Sequence, residues 1–177
     1  MELVSSNFKS VVEGLRAKVA NTKDPNQTIA TFRADTKLLG QQYQEAKIND
    51  FVIKADEPVS SGGTNKAPRP LDFFVASIGF CENVIFARNA SLAELSIDSL
   101  ETAVSGSWDR RGLYDIDGVS PFFKSIMVET RISTRDPVEK VVEVARQTHR
   151  RCPVDATLSR ATEVIFKLVV NGQNVVL

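Results

Sequence analysis

The sequence contains one histidine, His149, and only two cysteines, Cys81 and Cys152, in 177 residues. A single imidazole excludes a histidine-rich metal centre, and Cys81 lies too far from the other two for finger-like ligand spacing. No metal and no other cofactor is expected. Two cysteines in a chain of this size do not make a disulfide scaffold. Net charge is missing as well: 22 basic residues balance 22 acidic ones. That argues against the overall positive footprint of a nucleic-acid-binding protein. No unbroken run approaches about 18 apolar residues, so no transmembrane helix and no membrane partner is expected. The opening MELVSSNFKS has neither the basic start nor the apolar block of a secretory signal. A cytoplasmic protein with its thiols reduced at rest is the default expectation. Patterns of the G-x-G-x-x-G, Walker, C-x-x-C and G-x-S-x-G kinds are absent. Dinucleotide binding and serine-hydrolase chemistry are thereby left without support.

What is present reads as one soluble domain with room for a real core, 42% apolar and 25% charged. Phe8, Val11, Val12, Leu15 and Val19 recur at helical spacing, predicting an amphipathic helix from residue 6 to about 21. Asp24-Pro25 stops it. TIATFRADTKLLG and QEAKINDFVIKAD predict two strands, and PVSSGGTNKAPRP a loop. Two further strands fall near 97–108 and 121–133, joined by a long hairpin connection, RRGLYDIDGVSP. Asp136-Pro137-Val138-Glu139 opens another helix, with Asp136 as cap and Pro137 first, running toward Cys152. Pro153 ends it or forces a turn. TEVIFKLVVNG then alternates as a last strand, with Val164, Phe166, Leu168 and Val170 on one face. Residues 1–26 form an N-terminal helical extension and 27–177 the main domain, of α+β class.

The odd element is the helix predicted from Pro70 to about Leu95, with Pro70 first and Asp72 in its opening turn. Its apolar residues fall on every side, the pattern of a buried helix. One small chain struggles to wrap such a helix, so a homodimer covering the remaining face is a reasonable hypothesis. Cys81 sits in the middle of this helix and Cys152 at the end of the next. Free cysteine is among the most buried residue types, and either thiol is by itself as readily core filling as chemistry. Three features favour chemistry. Ser77 and Arg88 share Cys81's side of the helix, Glu82 follows directly and would need a partner if buried, and His149 lies one turn before Cys152.

Two separated motifs also resemble a known family. PLDFFVASIGFC is similar to the segment of the OsmC/Ohr proteins (osmotically inducible protein C and organic hydroperoxide resistance proteins) in which a Pro plus an acidic residue opens the central helix eleven residues before a cysteine. Pro70 and Cys81 have that separation. RCPVDATL resembles the family's second-cysteine motif, and ADEPVSSGGTNKAPRP its Asp-Glu-Pro and Gly-Gly loop. The resemblance spans roughly residues 28 to 172. It implies an α+β OsmC/Ohr-like fold, with a long buried central helix against curved antiparallel sheets in an intertwined homodimer. It further implies a two-cysteine peroxidase acting in the oxidative stress response, with an organic hydroperoxide as substrate and an external dithiol as reductant. Cys81 would be oxidised by the peroxide and Cys152 would resolve the product as a disulfide. The family's activating arginine corresponds to Arg33, with Lys37 as a rival. Its activating acid corresponds to Asp72, one residue past the usual position, which Leu71 occupies here. A helix-start charge accounts for Asp72 equally well. The alternative to a peroxidase is a non-catalytic dimer of the same fold that binds an apolar small molecule at its interface.

Overall fold

The computed structural model describes residues 3–5, 7–160, 168–170 and 173–175. Helix α1 (Phe8–Ala20) forms where the apolar spacing predicts it and is followed by a short 3-10 turn over Pro25–Thr28. Strands β1 (Asp35–Gly40), β2 (Tyr43–Ile48) and β3 (Phe51–Ala55) make an antiparallel meander in that order. The meander differs from expectation in two ways. Residues 28–34 are not strand, and the segment expected as one strand over 44–56 folds back on itself. Ile48 pairs with Phe51, which leaves Asn49 and Asp50 as the turn, with Asn49 at φ 53°. Asparagine tolerates that left-handed backbone better than most residues, so an unremarked Asn-Asp pair breaks the strand in two.

A loop from Asp56 to Arg69 then delivers the chain to the central helix, and one buried carboxylate organises it. Asp56 accepts hydrogen bonds from the amides of Glu57 (2.8 Å), Thr64 and Lys66 (3.0 Å) and from the Thr64 hydroxyl (2.6 Å). Gly63 is required by the closeness of this wrap: a Cβ there would lie 1.9 Å from the Glu57 carbonyl oxygen. Helix α2 (Pro70–Leu92) starts at Pro70, as expected, and Asp72 closes its first turn by accepting from the Arg69 amide at 2.9 Å.

Strands β4 (Ser99–Trp108) and β5 (Phe123–Ser133) form a long antiparallel hairpin, with Ser99 opposite Ser133 and Val104 opposite Val128. Helix α3 (Val138–Arg151) begins one residue later than predicted, with Pro137 rather than Asp136 at the cap position. The Asp136 carboxylate is drawn away to the Ser96 amide (2.7 Å) and the Lys140 ammonium (2.9 Å). Pro153 ends α3 but also opens a further short helix, α4 (Pro153–Leu158). Of the last predicted strand, Leu168–Val170 is β6, paired antiparallel with β7 (Gln173–Val175). Residues 161–167, which include Val164 and Phe166, lie outside the described residues.

The core is built where α2 packs against β4 and α3: Phe86, Ala90, Leu95, Ile97 and Val144 are buried together, with Val141 and Ile132 against them. Helix α1 also lies against α2. By length and composition alone α2 is able to cross a membrane, although polar residues interrupt its apolar run. Only 22% of its apolar window is buried within one chain. Phe80 is 70% exposed and Val84 51%. The meander is similarly bare, with every residue of β1 exposed.

Candidate thiol site

Cys81 lies half-buried at the middle of α2, and Cys152 is 0% exposed at the joint between α3 and α4. The joint follows from Pro153. A residue before proline is pushed out of helical backbone, and Cys152 is extended at φ −66° and ψ 114°. Its amide still completes α3 by donating to the Thr148 carbonyl at 2.9 Å, and its own carbonyl accepts from Ala156 in α4. Seventy-one residues apart in sequence (152 − 81), the two thiols are neighbours close enough for Cys81 to bear on the ionisation of Cys152. Both are reduced. Burial pushes the Cys152 thiol up to about 12, and the neighbouring Cys81 thiol and the Glu82 charge add to the effect, while the Asp155 amide opposes it.

Glu82 is the next element of the site. Its carboxyl is raised above the ordinary value, first by burial, while the neighbouring Cys152 thiol works the other way; Asp155 then raises it and His149 lowers it. Its Oε1 is shut off from solvent with no hydrogen-bond partner among the described residues. His149 Nδ1 stands 2.5 Å from Asp155 Oδ2, with the imidazole 74% exposed. Donor atoms of Glu82, His149 and Asp155 all lie within 4.8 Å of one another, the one such group found among the described residues. One histidine and two carboxylates are thus the residues here able to hold a cation. The group also walls a cavity of about 540 Å³, whose other side is the apolar face of β5 with Phe123, Ile126 and Val128.

The remaining expected site residues have other partners. Arg33 is 79% exposed and forks onto Asp35, at 2.6 Å from Nη2. Asp72 pairs with Arg69 at 2.7 Å, which holds its carboxyl below the ordinary value. Nine residues of helix put it about 13 Å along the axis from Cys81. The Arg69–Asp72 pair instead faces a second cavity, of about 730 Å³, with Trp108 and Tyr114. Among the described residues the structure brings Cys81 and Cys152 together, and brings neither Arg33 nor Asp72 to them by a hydrogen bond. Ser77 donates to the Phe74 carbonyl of its own helix, and Arg88 is exposed. The grouping of Glu82 with His149 and Asp155 was not foreseen, because it depends on the chain reversing at Cys152.

Residues 63–167 match the OsmC-like protein family. The chain belongs to that family. Solved OsmC-like structures share its fold of open antiparallel sheets and a long helix. An OsmC-like protein from Mycoplasma pneumoniae superposes with a TM-score of 0.65 at 19% identity, covering 73% of this chain and 88% of that one. A hypothetical protein from Aquifex aeolicus VF5 gives 0.60 at 13% identity, covering 74% and 89%. An organic hydroperoxide resistance protein OsmC from Legionella pneumophila gives 0.56 at 16% identity, covering 73% and 91%. No curated protein sequence matches significantly.

Proposed function

We propose that this OsmC-like protein is a thiol-dependent peroxidase that reduces organic hydroperoxides in an oxidative stress response. The observation that carries the reading is the meeting of Cys81 and Cys152. Two neighbouring thiols can interconvert between dithiol and disulfide. The Legionella protein of the same fold is named an organic hydroperoxide resistance protein, and a cytoplasmic setting would keep both thiols reduced at rest.

In this scheme the Cys81 thiolate attacks the distal oxygen of the hydroperoxide. The O–O bond breaks, Cys81 becomes a sulfenic acid, and the alkoxide leaves to be protonated as the alcohol. The Cys152 sulfur then attacks the Cys81 sulfur, giving the disulfide and one water. An external dithiol reduces the disulfide by exchange and is itself oxidised. The steps need no metal and no organic cofactor. The apolar wall of β5 favours an alkyl or fatty-acid chain on the substrate over hydrogen peroxide.

The working form in this proposal is a homodimer, in which a second copy covers the bare face of α2 and the exposed meander. Arg33 is the proposed activating cation and Asp72 the proposed acid. Both would have to leave the partners they hold within one chain, Asp35 and Arg69. The test is consumption of cumene hydroperoxide with a small dithiol as reductant. Wild type is expected to turn over, and both Cys81→Ser and Cys152→Ser to lose dithiol-dependent turnover. Equal rates in all three proteins would refute the scheme.

A further inference from the structure

We propose that Glu82, His149 and Asp155 form a binding site for one divalent first-row transition-metal ion, zinc being the best match, and that the ion staples α2 to the joint between α3 and α4. The site lies beside the thiols and uses neither of them. One ligand atom from each of the three residues falls within 4.8 Å of the other two. The residues arrive from three helices: Glu82 from the middle of α2, His149 from the last turn of α3 and Asp155 from the first turn of α4. The reversal at Cys152 and Pro153 brings the last two together, with Nδ1 and Oδ2 at 2.5 Å.

Two observations set this group apart from a chance meeting of polar side chains. The first is Glu82. Its side chain is buried, and its Oε1 is shut off from solvent with no hydrogen-bond partner among the described residues. A buried carboxylate oxygen without a donor is costly as pure structure. The second is the balance of charge. Two carboxylates share one imidazole, and among the described residues no lysine or arginine pairs with either. A dication supplies the missing positive charge and the missing partner together. The group opens on the cavity of about 540 Å³, whose facing residues Phe123, Ile126 and Val128 are apolar.

The donor set selects the class of ion. Magnesium and calcium take shells of oxygen ligands, six or more for calcium, whereas imidazole suits zinc, copper, iron and nickel. Three protein ligands are the number zinc takes when its fourth position is left to water, and here that position faces the cavity. Zinc bonds of about 2.0–2.2 Å set tetrahedral ligand atoms about 3.4 Å apart, so side-chain shifts of about an ångström close the site. His149, 74% exposed, is free to make its share of them.

The test is zinc binding, read by calorimetry and by Tm on protein stripped with a chelator. Because thiols also take zinc, a Cys81→Ser/Cys152→Ser double variant is titrated beside the reduced wild type. One zinc ion per chain is expected in both, with a Tm that climbs as free zinc rises and no comparable response to magnesium. His149→Ala and Glu82→Gln, made in the double variant, should each weaken binding by about 10²-fold or more, since even outer-shell changes at metal sites cost 10–100-fold. His149 is exposed, so His149→Ala is expected to fold as its parent does, checked by its metal-free Tm. Absence of zinc binding in the double variant overturns the site, as does binding there that His149→Ala and Glu82→Gln leave unchanged. Neither result bears on the peroxidase reading, because the double variant carries no thiol.

Discussion

The Asn89 side-chain amide donates to the Thr148 hydroxyl at 3.1 Å, in the buried seam between α2 and α3. The hydroxyl passes its own proton to the Val144 carbonyl at 2.9 Å, and the Asn89 oxygen receives Arg151 at 3.5 Å. This contact ties the helix that carries Cys81 to the helix that ends at Cys152, one turn from the joint. Thr148→Val keeps the shape and removes the acceptor, leaving a buried amide unpaired. A loss of about 1–3 kcal/mol is expected, read as a lower Tm by roughly 2–4 °C per kcal/mol. An unchanged Tm would mean that the seam is held by packing alone.

Asp56 gives the protein an acid limit of its own. Its carboxyl is lowered from 3.8 to about 2, chiefly by the Thr64 hydroxyl and, against some burial, by the amides of Lys66, Glu57 and Thr64. A carboxyl depressed on folding stabilises fully above its unfolded value and loses that contribution as pH falls through the folded one. The loop into α2 should therefore loosen between about pH 4 and pH 2. In Asp56→Asn this acid-dependent step should be absent and the Tm at pH 7 lower than wild type. Parallel pH–stability curves for the two proteins would contradict the assignment.

The bare face of α2 makes oligomeric state a sharp test. Phe80 projects into solvent in one chain at 70% exposure, in a helix with only 22% of its apolar window buried. If a second copy covers it, light scattering on wild type gives twice the chain mass, and Phe80→Asp shifts the mass toward the monomer. A wild-type monomer at tens of micromolar would exclude the homodimer.

Much of the frame was legible before the structure. Pro70 and Asp72 mark the start of α2, the clean alternation of Phe122 through Ile132 marks β5, and the two cysteine motifs mark the family. What escaped notice shares one cause, a local backbone event that redirects the chain. Asn49 turns left-handed and makes two strands of one expected strand. Cys152 breaks from helix under Pro153, and α4 then swings Asp155 back onto His149, six residues earlier. Periodicity assumes that an element continues, so it has no means of placing Glu82, His149 and Asp155 together. The pairing of Asp72 with Arg69 is different: three residues apart at a helix start, it is the short-range ion pair that helix geometry favours.

The most direct test of the account is a free-thiol titration of the reduced protein before and after one equivalent of cumene hydroperoxide, with Cys81→Ser and Cys152→Ser in parallel. The account predicts that wild type loses both thiols rapidly, that Cys152→Ser stops at a sulfenic acid on Cys81, and that Cys81→Ser keeps its thiol. Survival of both wild-type thiols through minutes in excess peroxide would contradict it, and would make Cys81 a core residue.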